Sequence, residues 1–276
     1  MRSNAISLFL CCLHIIAFSQ DTNKVSSISI RTTFSQVPVV RISGIDTSYQ
    51  NALSVAPAFK FRGKSGWGIK YSPHIMVSGS ESKIYMHVVT AGYEKFGKNV
   101  NLAVSYLRFF FAKNTEIPYS PIKNELYFSL SYHNTWIQPM VSSSIGFGEN
   151  SKTSGSPAYD VAVVAGISHD FGVERNGFVS YIGFTPSLML NAGTNEYFSF
   201  LSSSKYVSNS LNYVKKDAKG QSSIPGLGIR NLELDLETVI EMGAFSVQPV
   251  AAFYLPITGS EKSLNGYWQV VLKYQF

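Results

Sequence analysis

The last ten residues constrain the chain more than any other stretch. Counting back from the terminus, Phe276, Tyr274, Leu272, Val270 and Trp268 occupy every second position, and Gln275, Lys273, Val271 and Gln269 fill the gaps. Successive side chains of an extended strand point to opposite faces, so those five apolar groups share one side. The same rhythm sets Leu232, Leu234, Leu236, Thr238 and Ile240 against Glu233, Asp235, Glu237 and Glu241. It sets Leu126, Phe128, Leu130 and Tyr132 against Glu125, Tyr127, Ser129 and Ser131, and Leu53, Val55, Pro57, Phe59 and Phe61 against Ser54, Ala56, Lys60 and Arg62. A period of two sustained along the chain predicts an all-β fold with one oily face and one wet face.

Twelve strands are expected, near residues 26–35, 49–62, 66–78, 83–96, 99–112, 123–133, 135–148, 158–171, 177–190, 229–241, 244–257 and 265–276. Their connections fall into two classes. Short ones are Gly63-Lys64-Ser65, Gly97-Lys98, Asn134, the turn from Val173 to Asn176, and Met242-Gly243; the others run through 36–48, 79–82, 113–122, 149–157, 191–228 and 258–264. A soluble sandwich also alternates along its strands, but its connections need not sort in this way. Charged residues make up 14% of the chain, too few for an ordinary cytosolic enzyme, which would carry about a quarter. No stretch after residue 20 approaches the ~20 apolar residues that a spanning helix needs. A sheet with its apolar face in hydrocarbon cannot leave edge amides unpaired, and it escapes them only by closing on itself.

The segment from Trp268 to Phe276 resembles the C-terminal assembly signal of bacterial outer-membrane β-barrels, which ends in Phe with apolar residues at alternate positions. The resemblance covers ten residues directly, and the strand rhythm extends it over nearly the whole chain. It implies one closed, up-and-down antiparallel barrel over residues 21–276, inserted in the outer membrane with both termini periplasmic. It also implies contact with outer-membrane lipid and lipopolysaccharide, and recognition by the barrel-assembly machinery through Trp268, Val270, Leu272, Tyr274 and Phe276.

Residues 1–20 read as a cleaved secretory signal peptide: Arg2, an apolar stretch from Ile6 to Phe18, then Ser19 and Gln20. Cys11 and Cys12, the only cysteines, leave with it, so the mature chain can form neither a disulfide nor a thiolate metal site. Export and scattered basic residues argue against a nucleic-acid partner, while the net charge of +6, reduced by one on losing Arg2, suits anionic lipid neighbours.

Placing the polar face inside gives a lumenal charge map. Glu233, Asp235, Glu237 and Glu241 lie on one strand; Arg31, Lys60, Arg62, Lys70 and Lys273 lie on strands that closure makes neighbours. Opposite charges of this kind either bridge and plug a narrow lumen or line an aqueous constriction. The segment 191–228, with Tyr197, Phe198, Phe200, Leu201, Tyr206, Leu211 and Tyr213, is expected to fold against the mouth or inward.

Two local exceptions test the pattern. Pro57, Pro73, Pro139, Pro186 and Pro249 fall inside strands on the apolar face, where bulges are expected. Arg108 falls on an apolar face unless a bulge near Tyr106 shifts the register.

Catalytic patterns are weak. Ser168-His169-Asp170 fails as a triad, because neighbours in a strand point to opposite faces. His74 with Ser72 and Ser78 shares one face; Ser80-Glu81-Ser82-Lys83 and Ser202-Ser203-Ser204-Lys205 have serine–lysine spacing but lie in Ser-rich stretches. The triplet Glu233, Asp235 and Glu237, spaced by about 7 Å on one straight strand, suits ion pairing better than wrapping a sugar or calcium. No catalytic residue, metal or cofactor is therefore assigned. Three functions remain: a passive or weakly selective channel for small polar solutes, a non-conducting barrel that binds a partner or displays its outer loops, and an outer-membrane lipid hydrolase.

Overall fold

A computed structural model describes residues 26–43, 46–78, 81–112, 122–149, 157–194, 227–257 and 264–276. The strands are β1 (Ser27–Ser43), β2 (Asp46–Arg62), β3 (Trp67–Ser78), β4 (Glu81–Phe96), β5 (Val100–Phe111), β6 (Ile122–Tyr132), β7 (Gln138–Glu149), β8 (Pro157–Ser168), β9 (Phe171–Glu174), β10 (Tyr181–Gly193), β11 (Gly228–Met242), β12 (Phe245–Pro256) and β13 (Asn265–Gln275). Each pairs antiparallel with its neighbours, and β13 returns to pair with β1. β8 and β9 run along successive parts of β10, so they are two halves of one wall strand and the barrel has twelve positions.

The wall is inside-out relative to a soluble protein. On β2, Phe59 and Phe61 are 49% and 41% exposed while Ser54 is fully buried; on β11, Leu232 and Leu234 are 39% and 40% exposed while Asn231 and Glu233 are buried. Apolar groups face out, and Ser29, Ser35, Ser72, Ser142, Asn191 and Ser246 face in. That surface is stable only in hydrocarbon, where closure satisfies every ladder amide.

The first hairpin corrects the expected boundaries. Ser43 pairs with Asp46, so most of the stretch read as a connection over 36–48 is strand. The turn expected at Asn134 alone spans the five residues between Tyr132 and Gln138. Residues 1–25, which hold the expected signal peptide, and residues 195–226, most of the long connection, lie outside the described residues.

Prolines do not shift the register as expected. Val55 pairs with Ile75 and Phe59 with Tyr71, which brings Pro57 opposite Pro73 in unbroken register. Pro139, Pro186 and Pro249 pair in step with Ile167, Leu236 and Val270. Proline lacks a donor but is extended by nature, so it costs a ladder bond without displacing the strand. The shifts that occur lie at His74/Ile75, Ile122/Asn124 and Asn191/Ala192, and only the first adjoins a proline.

No bulge rescues Arg108 either: β4 and β5 pair in step throughout. Its guanidinium reaches along the outer face, donates to Asn124 Oδ1 at 2.5 Å and lies 5.4 Å from the centroid of Phe110. Tyr106 donates to the same amide oxygen at 2.6 Å. A long side chain can lay its stem on apolar surface and carry its charge toward a strand end.

Candidate lumenal site

Closure decides which charges meet. Lys273 on β13 is opposite Arg31 on β1, and Lys60 on β2 is opposite Lys70 on β3. Strand order makes β13, β1, β2 and β3 consecutive, so these four cations form a continuous basic stripe across the inner wall. Arg62 extends it toward the rim. One carboxylate joins the stripe: Glu94 on β4 accepts from Lys60 Nζ at 2.6 and 2.8 Å, lies 3.8 Å from Arg62 Nε, and its backbone carbonyl accepts from Arg62 Nη2 at 2.9 Å. Gly66 and Gly68 let β3 enter close to this corner: Gly66 has φ +93°, and a Cβ there would come within 2.5 Å of the Glu94 carbonyl oxygen.

The acidic side adjoins the basic one rather than standing diametrically across from it. β11 is three wall positions from β1, and Glu237 and Arg31 attract each other over that gap. Asp235 and Glu237 line a cavity of ≈ 570 Å³ together with Arg31, Lys60, Arg62 and Lys70, and Asp170 and Glu125 join the lining. The three other residues of the charge map sit elsewhere. Glu233 is buried, accepting from Asn191 Nδ2 at 2.5 Å; Glu241 and Lys273 stand on the rim row that crosses β11, β12 and β13 through Ser246. Arg31, Lys70 and Lys273 have no carboxylate partner within 4.0 Å among the described residues.

The interior changes character along the barrel. Met76, Tyr85, Met86, Val88, Leu107, Phe109 and Ile122 form a buried apolar cluster inside β3 to β6, beyond the charged zone. Bulging at His74/Ile75 turns both Tyr85 and Met86 inward, a local effect that no alternation in the sequence betrays. Tyr85 bonds to Ser54 Oγ at 2.9 Å and approaches His74 Nδ1 at 3.4 Å.

Two of the catalytic patterns lie within the described residues; Ser80 and Ser202-Ser203-Ser204-Lys205 lie outside them. Ser72 donates to the Pro57 carbonyl and not to His74. His169 bonds to the Trp136 carbonyl, whereas Ser168 and Asp170 line the cavity and Asp170 accepts from Thr185 at 2.7 Å. A polar relay that the sequence reading overlooked stands at the cavity margin. His133 Nδ1 donates to Gln138 Oε1 at 3.0 Å, and its Nε2 faces Ser131 Oγ at 2.9 Å and Asn101 Nδ2 at 2.8 Å. Asn101 competes for the nitrogen lone pair that would take a proton from Ser131, so this arrangement holds a wall corner together. Glu94 was likewise overlooked; the signal was its place in the inward series Thr90, Gly92, Glu94 on β4.

A closed antiparallel barrel, apolar outside and hydrogen-bonded and charged inside, is an outer-membrane β-barrel in fold. One solved structure shares this fold: an outer-membrane channel from Pseudomonas putida F1 superposes with a TM-score of 0.51 at 5% identity, covering 94% of this chain and 98% of that one. The NanC porin matches at 0.46 and 11% identity over 90% and 98% of the two chains, and the translocator domain of autotransporter NalP from Neisseria meningitidis at 0.44 and 10% over 99% and 96%. No protein-family model and no curated protein sequence matches the chain.

Proposed function

We propose that the protein is a passive, weakly selective outer-membrane channel for small polar solutes. The observation that carries this is the cavity of ≈ 570 Å³ bordered by adjoining acidic and basic walls, with no carboxylate within 4.0 Å of Arg31 or Lys70 among the described residues. Charges that bridged fully would make a plug; charges held apart on one wall create a field that orients a dipolar solute passing between them. In this reading residues 1–20 are removed on export, the termini and short turns face the periplasm, and the final strand carries the assembly signal.

Planar-bilayer recording of the purified, folded barrel tests it. Stepwise conductance is expected, with Glu237→Gln shifting the reversal potential under a salt gradient toward anions. Absence of steps rejects the channel, and steps whose reversal potential is indifferent to Glu237→Gln reject the role of the lumenal charges in its selectivity.

A second reading has its own support. The apolar cluster around Tyr85, Met86 and Phe109 occupies the interior where an open pore would be wet. A barrel blocked at that level is a non-conducting, partner-binding barrel with a vestibule at the short-turn rim, and it would give no steps in the same recording.

A further inference from the structure

We propose that the basic stripe is a binding site for a small oxyanion, the phosphate or carboxylate group of a solute, held between Arg31 and Lys70, with Lys273 flanking Arg31 from the opposite strand. The site belongs to the lumen of the proposed channel, but it requires only a folded barrel.

Four observations converge on it. Like charges stand directly opposite each other at Arg31/Lys273 and at Lys60/Lys70, an arrangement that destabilises a sheet unless something intervenes. The cations repel one another across strands as well, Lys70 against Arg31 and Lys60, and Lys273 against Lys60 and Arg31. Glu94 answers only part of that charge, because both its oxygens are committed to Lys60, and Glu237 and Glu241 attract Arg31 and Lys273 from β11 without coming within 4.0 Å of them. Two groups on the same cavity wall are buried without a hydrogen bond among the described residues: Thr90 Oγ1, on the residue opposite Lys70, and Arg62 Nε, whose only carboxylate contact is Glu94 at 3.8 Å.

An oxyanion answers all four at once. Its charge removes the cross-strand repulsion, and its oxygens accept from the ammonium and guanidinium groups, which bind phosphate and carboxylate through short charge-assisted bonds. Thr90 can add a neutral donor. A cation or neutral sugar would leave the repulsion standing. The neighbouring acids Asp235 and Glu237 disfavour an anion spread over the whole lumen, so binding is confined to the stripe.

Equilibrium dialysis of the full, detergent-folded barrel against radiolabelled inorganic phosphate, at fixed ionic strength in chloride, tests the site; succinate as competitor separates a phosphate-specific site from a general oxyanion one. Saturable binding is expected, weakened at least tenfold in the Arg31→Gln/Lys70→Gln double variant and severalfold in Lys70→Met, which relieves repulsion and so should fold. Lys98→Gln, on an exposed turn, should bind like the parent. Binding that is unsaturable, or undiminished in both lumenal variants, overturns the site. Saturable, variant-sensitive binding by a barrel without conductance keeps the site and rejects the channel; conductance without such binding does the reverse. Displacement by succinate assigns carboxylates to the same site, and failure to displace restricts it to phosphate.

Discussion

Gly66 shows how much one backbone position carries. Its φ of +93° closes the turn between β2 and β3, where Gly63 N–H donates to the Trp67 carbonyl at 2.7 Å and the Gly66 carbonyl accepts from Glu94 N–H at 3.0 Å. An alanine would adopt a disfavoured conformation at a cost of about 1–2 kcal/mol and would press its Cβ against the Glu94 carbonyl. Gly66→Ala is therefore expected to lower the urea midpoint, read by loss of the compact gel migration of the folded barrel, and an unchanged midpoint would contradict the geometry. For charged residues, alternation speaks to the face of the strand and is silent about the partner. Glu94 was missed because its meaning depends on β2, which approaches β4 only through β3.

At the scale of strands, alternation carries the energy. Leu234 is 40% exposed on the outer face of β11, between the buried or lumenal Glu233 and Asp235. Leu234→Arg, placed near mid-strand, should destabilise the inserted barrel by ~2–4 kcal/mol, while Asp235→Asn one residue away should leave insertion intact. Urea titration in lipid vesicles measures both, and equal effects would mean that the two faces are assigned wrongly. Strand faces were legible wherever the register is unbroken, because a period of two is local; at Tyr85 and Met86 the bulge defeats it. Boundaries were less so: the strand pairing that extends β1 to Ser43 and the bulges at His74/Ile75 and Ile122/Asn124 arise from neighbouring strands. Prolines misled for a related reason, since the sequence shows the lost donor but not that the ladder can open without slipping.

For the whole molecule, the decisive contact is between the first and last strands. Ile30 on β1 is in register with Tyr274 on β13, and directly opposed antiparallel residues have Cα atoms about 4.5–5.5 Å apart, within disulfide reach. In a chain beginning at Asp21, which lacks Cys11 and Cys12, Ile30→Cys/Tyr274→Cys should form an intramolecular disulfide upon oxidation of the folded protein. Its appearance only after unfolding would show that the barrel does not close there.

The one-in-two spacing of apolar side chains, together with low charge and a terminal Phe, was enough to determine the all-β barrel class, because facing alternates with every residue of any extended strand. Which charges stand together was decided by the tertiary structure. Arg31 and Lys273 are far apart in the chain and become neighbours only when β13 reaches β1, and register between distant strands is set by the pairing of the whole closed sheet rather than by any local run of residues.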